Sequence, residues 1–236
     1  MPVSKQSTRD GVLIFSRYDS ARLPGKVLRD LGGRPLLGRC LDRARRRLPG
    51  SHVVVATSDR SVDDPIARFC ADEGVACFRG DADDVAGRAL SCLRHFGFER
   101  FARVCGDSPF FPDHLIARLL EIHRDGGHDV ACNVHPRTFP PGASAEIVGA
   151  AAMERMMALG PDAAQREHCT AFFYDHPELF AIYNVPAPDA GWRPYRMVVD
   201  LPSDLELCNA MLARLGRDPA DVEWDELFAL RRQFSE

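Results

Sequence analysis

Three cationic side chains stand close together in a loop near the start of the chain. Arg17, Arg22 and Lys26 follow the apolar run Val12–Phe15, which is short, bounded by turn residues and typical of a buried strand. Guanidinium and ammonium groups bind phosphate oxygens, and Gly25 lets the backbone approach such a ligand closely. Because open α/β sheets bind ligands where their strands end, these residues predict an anion site, with a solvated basic loop as the alternative.

The spacing of the glycines excludes two common phosphate-binding motifs. The loop lacks the Gly-four-residues-Gly-Lys-Ser/Thr spacing of a Walker loop. It also lacks a Gly-x-Gly-x-x-Gly run opening the next helix, which is the fingerprint of dinucleotide binding. The predicted anion site is therefore of neither kind.

Two aspartates could hold a metal ion opposite this loop. Asp107 follows the strand-like run Phe101–Cys105, and Asp200 follows the apolar run Met197–Val199, so both are expected where strands end. Mg²⁺ commonly binds one or two carboxylates together with substrate phosphates, and this pair would suit nucleotidyl transfer. Aspartates also start turns and cap helices, and for Asp204, inside the next predicted helix, we favour the cap.

Strand-like and helix-like patterns alternate along the first part of the chain. The predicted strands after the first are Val53–Ala56, Val75–Phe78, Phe101–Cys105 and His128–Cys132. The predicted helices are Pro35–Leu48, Val62–Glu73, Asp83–His95 and Pro112–His123. This alternation predicts a single α/β domain over residues 1–236, with a mainly parallel central sheet and helices on both faces.

The alternation of strand-like and helix-like patterns ends after Asn133. Prolines cluster there, the run Ser144–Val148 looks extended, and helical spacing covers Ala151–Gly160 and Ala163–Tyr174. We expect residues 134–186 to form a small inserted flap or dimerisation arm, with a long crossover in the same sheet as the alternative. The predicted order then resumes with a strand at Met197–Val199 and helices at Pro202–Leu215 and Val222–Arg232.

The composition argues against several classes of protein. A net charge of −4 and a pI near 6.1 disfavour nucleic acid as a partner. The basic run Arg43–Arg47 reads as the solvated face of a helix. Eight scattered cysteines suggest neither a zinc site nor disulfides. Because no run reaches membrane-spanning length and Met1–Lys5 lacks the apolar core of a signal peptide, we expect no membrane association and a cytoplasmic location.

Further short motifs follow the basic loop in a fixed order. They are Ala56-Thr57-Ser58, Asp63-Asp64-Pro65, Phe78-Arg79-Gly80-Asp81, Gly106-Asp107-Ser108-Pro109, Arg166-Glu167-His168 and Val199-Asp200-Leu201-Pro202-Ser203-Asp204-Leu205. Together with Ser16–Lys26, this set resembles the cytidylyltransferases that activate acidic sugars, including the 3-deoxy-manno-octulosonate and sialic-acid types, with the spore-coat polysaccharide branch as the nearest match. The resemblance covers most of the chain, from Ser16 to Leu205.

The resemblance implies a Rossmann-like nucleotidyltransferase fold, CTP as the donor, Mg²⁺ as the cofactor, pyrophosphate as the leaving group and a homodimer. The residues that would hold the nucleotide are Ser16, Arg17, Arg22, Gly25, Lys26, Thr57, Ser58, Asp84 and Arg88. Asp107 and Asp200 would bind magnesium and, with Arg17 and Lys26, form the catalytic set. The residues expected on the acceptor side are Arg103, Ser144, Glu146 and His168, and the segment 134–186 would lie on the acceptor side or at a dimer interface.

One departure from the family pattern leaves the acceptor open. Where the spore-coat branch carries a Gly-Leu-Asp-Val-Glu-like run, this chain has Gly142-Ala143-Ser144-Ala145-Glu146, so Ser144 replaces an acidic residue. We therefore expect the acceptor to be either an acidic sugar or a small phosphonate such as phosphonoformate. Two alternatives remain: a CTP-binding regulatory protein without turnover, and a sugar-1-phosphate nucleotidyltransferase using another nucleoside triphosphate, whose usual Gly-rich opening loop is absent.

Overall fold

The computed structural model describes residues 10–234, so the predicted absence of a signal peptide at Met1–Lys5 concerns residues outside the described part. Its strands are β1 (Asp10–Phe15), β2 (His52–Ser58), β3 (Ala76–Gly80), β4 (Arg100–Cys105), β5 (Val130–Cys132), β6 (Glu146–Gly149) and β7 (Ile182–Asn184). They form one sheet of seven strands in the order β3-β2-β1-β4-β6-β5-β7.

The pairing of the strands fixes where ligands can bind. β1 is parallel to β2 and β4, β2 is parallel to β3, and β6 is antiparallel to both β4 and β5. Phe15 at the end of β1 pairs with Cys105 at the end of β4. The basic loop and the turn that carries Asp107 therefore leave the same edge of the sheet from neighbouring strands, as the α/β prediction requires.

Helices cover both faces of this sheet. They are α1 (Leu36–Arg47), α2 (Asp64–Asp72), α3 (Val85–Phe96), α4 (Asp113–Gly126), α5 (Ala150–Ala158), α6 (Ala163–Glu167), α7 (Ala171–Asp175), α8 (Pro202–Leu215) and α9 (Trp224–Arg232). Short 3₁₀ turns lie at Lys26–Leu28, Ser61–Asp63, Pro177–Leu179, Ala190–Trp192 and Pro219–Asp221. The alternating residues of β1 show the two faces: Val12 and Ile14 belong to a core cluster with residues of α1, α4, α8 and α9, whereas Leu13 belongs to a second cluster with residues of α3 and α5.

The predicted strand at Met197–Val199 is wrong. The segment lies outside the sheet and bonds to two loops instead: Met197 N–H donates to the carbonyl of Pro141 at 2.7 Å, and Val199 N–H donates to the carbonyl of Asp107 at 2.9 Å. Met197 and Val199 are buried, so the apolar run correctly signalled burial. It could not show that the hydrogen-bonding partners are loops rather than a neighbouring strand.

The helix predicted over Ala163–Tyr174 is two helices, α6 and α7. The break at His168–Thr170 places the Thr170 hydroxyl 2.7 Å from Glu146, to which it donates a hydrogen bond. Strand β7 carries too short an apolar run to stand out in the sequence and was not predicted.

The segment 134–186 contributes to the main sheet. Strand β6 lies between β4 and β5, and β7 pairs with β5 at the edge. Strands β6 and β7 are therefore part of the central sheet, while the role of this segment as a flap or dimerisation arm on the acceptor side stays a prediction.

The helices and the cysteines bear on two further expectations from the sequence. Within residues 10–234, none of the helices combines the length and the apolar character that crossing a bilayer requires. All eight cysteines are free thiols.

A buried ion pair joins β4 to the antiparallel strand β6. Arg103 and Glu146 are direct partners across the two strands, and the guanidinium of Arg103 donates to the Glu146 carboxylate. Thr170 Oγ1 and Tyr174 OH donate to the other carboxylate oxygen at 2.7 and 2.8 Å. Burial disfavours the charged carboxylate, but the charge of Arg103 and the two hydroxyl donors outweigh it and lower the pKa of Glu146.

One glycine lets the loop before β6 approach the segment that leads to Asp200. Gly142 has a φ of +89°, and a Cβ atom there would lie 2.3 Å from the carbonyl carbon of Met197. Gly33 has a similar φ of +81° with no atom within 4 Å of such a Cβ. The two glycines thus share the backbone conformation and differ in the space around it.

We expect Glu146→Gln to lower the free energy of unfolding by about 3 kcal/mol, because it leaves the half-buried Arg103 without a charged partner. Glu154→Gln, which breaks an exposed pair with Arg94, is the control and should cost less than about 1 kcal/mol. The pKa of Glu146 is lowered on folding, so its contribution is present above the unfolded pKa of about 4.3 and is lost as the pH falls through the folded pKa. Urea unfolding at several pH values should therefore show the wild-type advantage shrinking in acid, and an equal cost for both variants would contradict the assignment.

We expect Gly142→Ala to destabilise the protein more than Gly33→Ala, by about 1 kcal/mol or more. A positive φ destabilises alanine at both positions, and only Gly142→Ala also places a methyl group against the backbone of Met197. Urea unfolding of the two variants measures the difference, and equal losses would show that the close approach is not required.

Candidate active site

The basic loop is held in place by hydrogen bonds at both ends. Ser16 N–H donates to the carbonyl of Ala56 at 3.1 Å, and Gly25 N–H donates to the carbonyl of Tyr18 at 2.8 Å. Gly25 itself has a φ of +67°, which lets the chain turn into the 3₁₀ segment that begins at Lys26. The buried carboxylate of Asp63 accepts a hydrogen bond from Tyr18 N–H at 2.7 Å. The loop is thus a fixed feature of the fold.

Lys26 joins the two aspartates that the sequence predicts as a pair. Its Nζ lies 2.7 Å from Asp107 Oδ2 and 2.7 Å from Asp200 Oδ1. The Lys26 side chain is only 9% exposed. Burial lowers the pKa of its ammonium, but the two carboxylates outweigh burial and raise that pKa above its ordinary value. Three segments of the chain therefore meet at one charged group.

Asp200 is further positioned by its neighbours. The guanidinium of Arg22 lies 3.2 Å and that of Arg196 3.4 Å from Asp200 Oδ2. Asp204 accepts hydrogen bonds at 2.9 Å from the backbone N–H groups of Asp200 and Leu201, which confirms the predicted helix cap at the start of α8. The cap holds the backbone of Asp200 still while its carboxylate faces the cations.

The two carboxylates could supply part of the ligand shell of a magnesium ion. Asp107 and Asp200 approach one cation, the Lys26 ammonium, closely enough to share it. No cluster of three or more acidic, histidine or cysteine side chains suited to a metal occurs in the described chain. Mg²⁺ often binds through one or two carboxylates and completes its shell with water and phosphate oxygens, so this donor set suits a metal that arrives with a triphosphate. Ammonium and metal would compete for the same oxygens.

Two cavities meet at this cluster. The first cavity has a volume of about 470 Å³. Apart from residues that it shares with the second cavity, its lining includes the predicted site residues Ser16, Arg17, Arg22, Lys26, Arg88 and His168. The second, of about 310 Å³, includes the predicted acceptor residue Ser144. The residues that line both cavities are Arg103, Cys105, Asp107 and Asp200. Ligands in the two cavities would therefore meet at the two aspartates.

Several buried polar atoms in the wall of the first cavity have no hydrogen-bond partner. They are Ser16 Oγ, Arg88 Nε and Arg103 Nε. Such atoms are costly to bury unless something binds them, so they point to a polar ligand. Burial also lowers the pKa of the Arg88 guanidinium, and the nearby negative charges are too weak to offset that effect.

Other predicted nucleotide residues do not line this cavity. Asp84 caps α3 by accepting from Gly87 N–H at 2.8 Å and also pairs with Arg166. Thr57 and Ser58 are buried at the end of β2, where Ser58 donates to Asp63. Their roles towards a nucleotide stay predictions.

Two further predicted residues lie at the open side of the first cavity. The guanidinium of Arg17 is 3.8 Å from the carboxylate of Glu167, and both side chains are about half exposed. His168 ends α6 and is exposed. Glu146 lines neither cavity and contacts the site only through Arg103.

Sequence reasoning missed several supporting residues. Asp63 appeared only as part of a motif, yet it holds Tyr18 of the basic loop. The amide of buried Asn133 bonds to the backbone of Ala143 and Ala145 at 2.8 Å each. Arg137, in the second cavity, stands among prolines where no periodicity marks it. An asparagine directly after a strand and before a proline cluster is the one signal that could have drawn attention to this loop.

The chain matches a family model described as cytidylyltransferase over residues 12–214. It is 31% identical over 226 residues to the spore coat polysaccharide biosynthesis protein SpsF of Bacillus subtilis (strain 168), a match covering 92% of each chain. It is 29% identical over 188 residues to a 3-deoxy-manno-octulosonate cytidylyltransferase of Hahella chejuensis, covering 72% of each.

Solved structures show the same fold. A cytidylyltransferase from Leptospira borgpetersenii has a TM-score of 0.89 at 24% identity, covering 97% of this chain and 95% of that one. A CMP:2-keto-3-deoxy-manno-octonic acid synthetase in complex with CTP has a TM-score of 0.61 at 20% identity, covering 87% of this chain and 99% of that one. The predicted Rossmann-like nucleotidyltransferase fold is confirmed. The family model spans most of the sequence, and the chain therefore belongs to the cytidylyltransferase family, a family of CTP-dependent nucleotidyltransferases.

Proposed function

We propose that this protein transfers CMP from CTP to a small acidic acceptor and releases pyrophosphate. CTP would bind in the first cavity, with its triphosphate against Arg17, Arg22 and Lys26, and the acceptor would bind in the second. The observation that carries this proposal is that Asp107 and Asp200 line both cavities at the point where they meet. An acceptor oxygen in one cavity would there reach a phosphorus atom in the other.

The reaction needs one bond to form and one to break. A lone pair of the acceptor oxygen forms a bond to the α-phosphorus of CTP, while the bond from that phosphorus to the bridging oxygen of the β-phosphate breaks. Pyrophosphate leaves with the electron pair. A sugar hydroxyl would release its proton to solvent, whereas a phosphonate oxygen is already ionised. In-line transfer of this kind depends mostly on positioning and charge stabilisation, and no covalent enzyme intermediate is required.

Positive charge in the first cavity would stabilise the leaving group. Lys26 and the arginines of the basic loop can donate to phosphate oxygens as negative charge builds on the bridging oxygen. Mg²⁺ is the cofactor we propose; Asp107 and Asp200 would hold it, and it would supply Lewis-acid stabilisation of the phosphates. Ser16 Oγ and Arg88 Nε, both without partners, would contact the nucleotide.

The acceptor class rests on the relatives and on the charge of the second cavity. The named relatives include a spore coat polysaccharide protein and 3-deoxy-manno-octulosonate cytidylyltransferases. The second cavity is lined by two arginines, Arg103 and Arg137. We therefore propose an acidic sugar or a small phosphonate such as phosphonoformate. A homodimer and a cytoplasmic location remain part of the same proposal.

We expect Asp107→Asn to slow pyrophosphate release from CTP and Mg²⁺ by about 10²-fold or more, because it removes one negative charge from the proposed metal site. The assay uses 2-keto-3-deoxy sugar acids and phosphonoformate as separate acceptors, with and without a chelator. Asp72→Asn, an exposed change at the end of α2, is the control and should behave as the unaltered protein.

The same assay distinguishes the alternatives. Tight CTP binding without turnover of any acceptor would favour a regulatory protein. Preference for UTP, GTP or ATP over CTP would contradict cytidylyl transfer in this member of the family.

A further inference from the structure

The second cavity carries a positive charge that the structure does not neutralise. Outside the wall shared with the first cavity, Arg137 is the one charged residue in its lining. Its Nη1 donates to the hydroxyl of Ser144 at 3.1 Å, and no ion pair of Arg137 is found among residues 10–234. This guanidinium therefore has most of its donors available to a ligand.

Three of the other arginines at the site are paired with carboxylates. Arg17 faces Glu167, Arg22 faces Asp200, and Arg103 is bound to the buried Glu146. Each of these positive charges has a carboxylate of the chain within 4 Å. The charge of Arg137 is thus the one in the wall of the second cavity that an acidic ligand could neutralise without displacing a carboxylate of the protein.

The loop that carries Arg137 is held on both sides. Asn133 bonds through its amide to Ala143 and Ala145, and the Thr138 hydroxyl accepts a hydrogen bond from Ala187 N–H at 2.7 Å. Further along, the carbonyl of Pro141 accepts from Met197 N–H at 2.7 Å. A braced loop costs less entropy to fix when a ligand binds, so it suits a recognition role.

The wall that this cavity shares with the first carries two carboxylates. Asp107 and Asp200 line it beside Arg103, and both would repel an anion that approached them without compensation. The reacting oxygen must nevertheless reach this wall if the acceptor is to meet the nucleotide. A separate acidic group that binds Arg137 would hold the acceptor in the cavity while its reacting oxygen faces the aspartates.

We propose that Arg137 is a specificity-determining residue, which binds an acidic group of the acceptor that is distinct from the attacking oxygen. This inference rests on the proposed function and narrows its substrate class. The acceptor then carries at least two functional groups, a nucleophilic oxygen and a separate carboxylate or comparable anion. A sugar acid and phosphonoformate both meet this requirement, whereas a neutral sugar or a phosphonate without a second acidic group does not.

The test compares each acid with its carboxamide, which has nearly the same shape without the charge. Steady-state pyrophosphate release is measured with a 2-keto-3-deoxy sugar acid, with phosphonoformate and with the two carboxamides. In Arg137→Gln we expect kcat/KM for the acid to fall about 30- to 100-fold, mostly through a higher acceptor KM, as the loss of a charge-assisted bidentate contact predicts. The KM for CTP and the rate with the carboxamide should change less than about threefold.

Two further variants control for structural effects. Arg118→Gln removes another exposed arginine, on α4 in the wall of a different cavity, and should leave the preference for the acid unchanged. Arg137→Lys keeps the charge but not the planar fork, so it should retain part of the preference.

The outcomes separate this inference from the proposed function. If the unaltered protein turns over an acid and Arg137→Gln keeps the same preference for acid over carboxamide, the role of Arg137 is disproved and cytidylyl transfer stands. If the unaltered protein turns over none of the four acceptors, both fail. An equal loss of rate with acid and carboxamide would show a merely structural role and would also overturn the inference.

Discussion

The candidate active site of this protein depends on one ammonium that bridges two carboxylates. Asp107 follows β4, Asp200 precedes α8, and Lys26 comes from the basic loop after β1. Without the lysine, the aspartates would repel each other and their charges would be costly to hold at a partly buried position. With it, three distant segments are fixed at the same point, and the two cavities acquire a common wall.

The rest of the fold supports this arrangement. Parallel β1 and β4 bring the basic loop and the turn of Asp107 to the same edge. The antiparallel strand β6 then places Glu146 beside Arg103, and α7 adds the hydroxyl of Tyr174. Arg103 is thereby held in the wall that the two cavities share by the carboxylate of Glu146, which lines neither cavity. The loop before β6 supplies the remaining wall, because Gly142 packs against the segment that leads to Asp200.

The sequence predicted the parallel half of this fold well and the rest less well. Local apolar runs in β1, β2 and β4 are long enough to indicate buried strands, and the helices between them have clear periodicity. The same reasoning misassigned Met197–Val199, because an apolar run reports burial and not the identity of its hydrogen-bonding partner. It also could not find Arg137 or Asn133, since both act through a loop whose shape is set by tertiary contacts. The pairing of Asp107 with Asp200 could be proposed from their positions after apolar runs, but the lysine between them is a property of the folded chain.

The residue that bridges the two aspartates is of a type that is rare in this sequence. Lys5 and Lys26 are the only lysines of the sequence, and every other strongly basic side chain is an arginine. A compact ammonium can sit between two carboxylate oxygens, where a broad planar guanidinium would need a different geometry. The described chain therefore carries a single side-chain amine, and it bridges the two aspartates that line both cavities. Because this ammonium is buried, bound by two carboxylates and raised in pKa, it resists amine-selective reagents for as long as the carboxylates hold it, so acylation of Lys26 would report that they have released it.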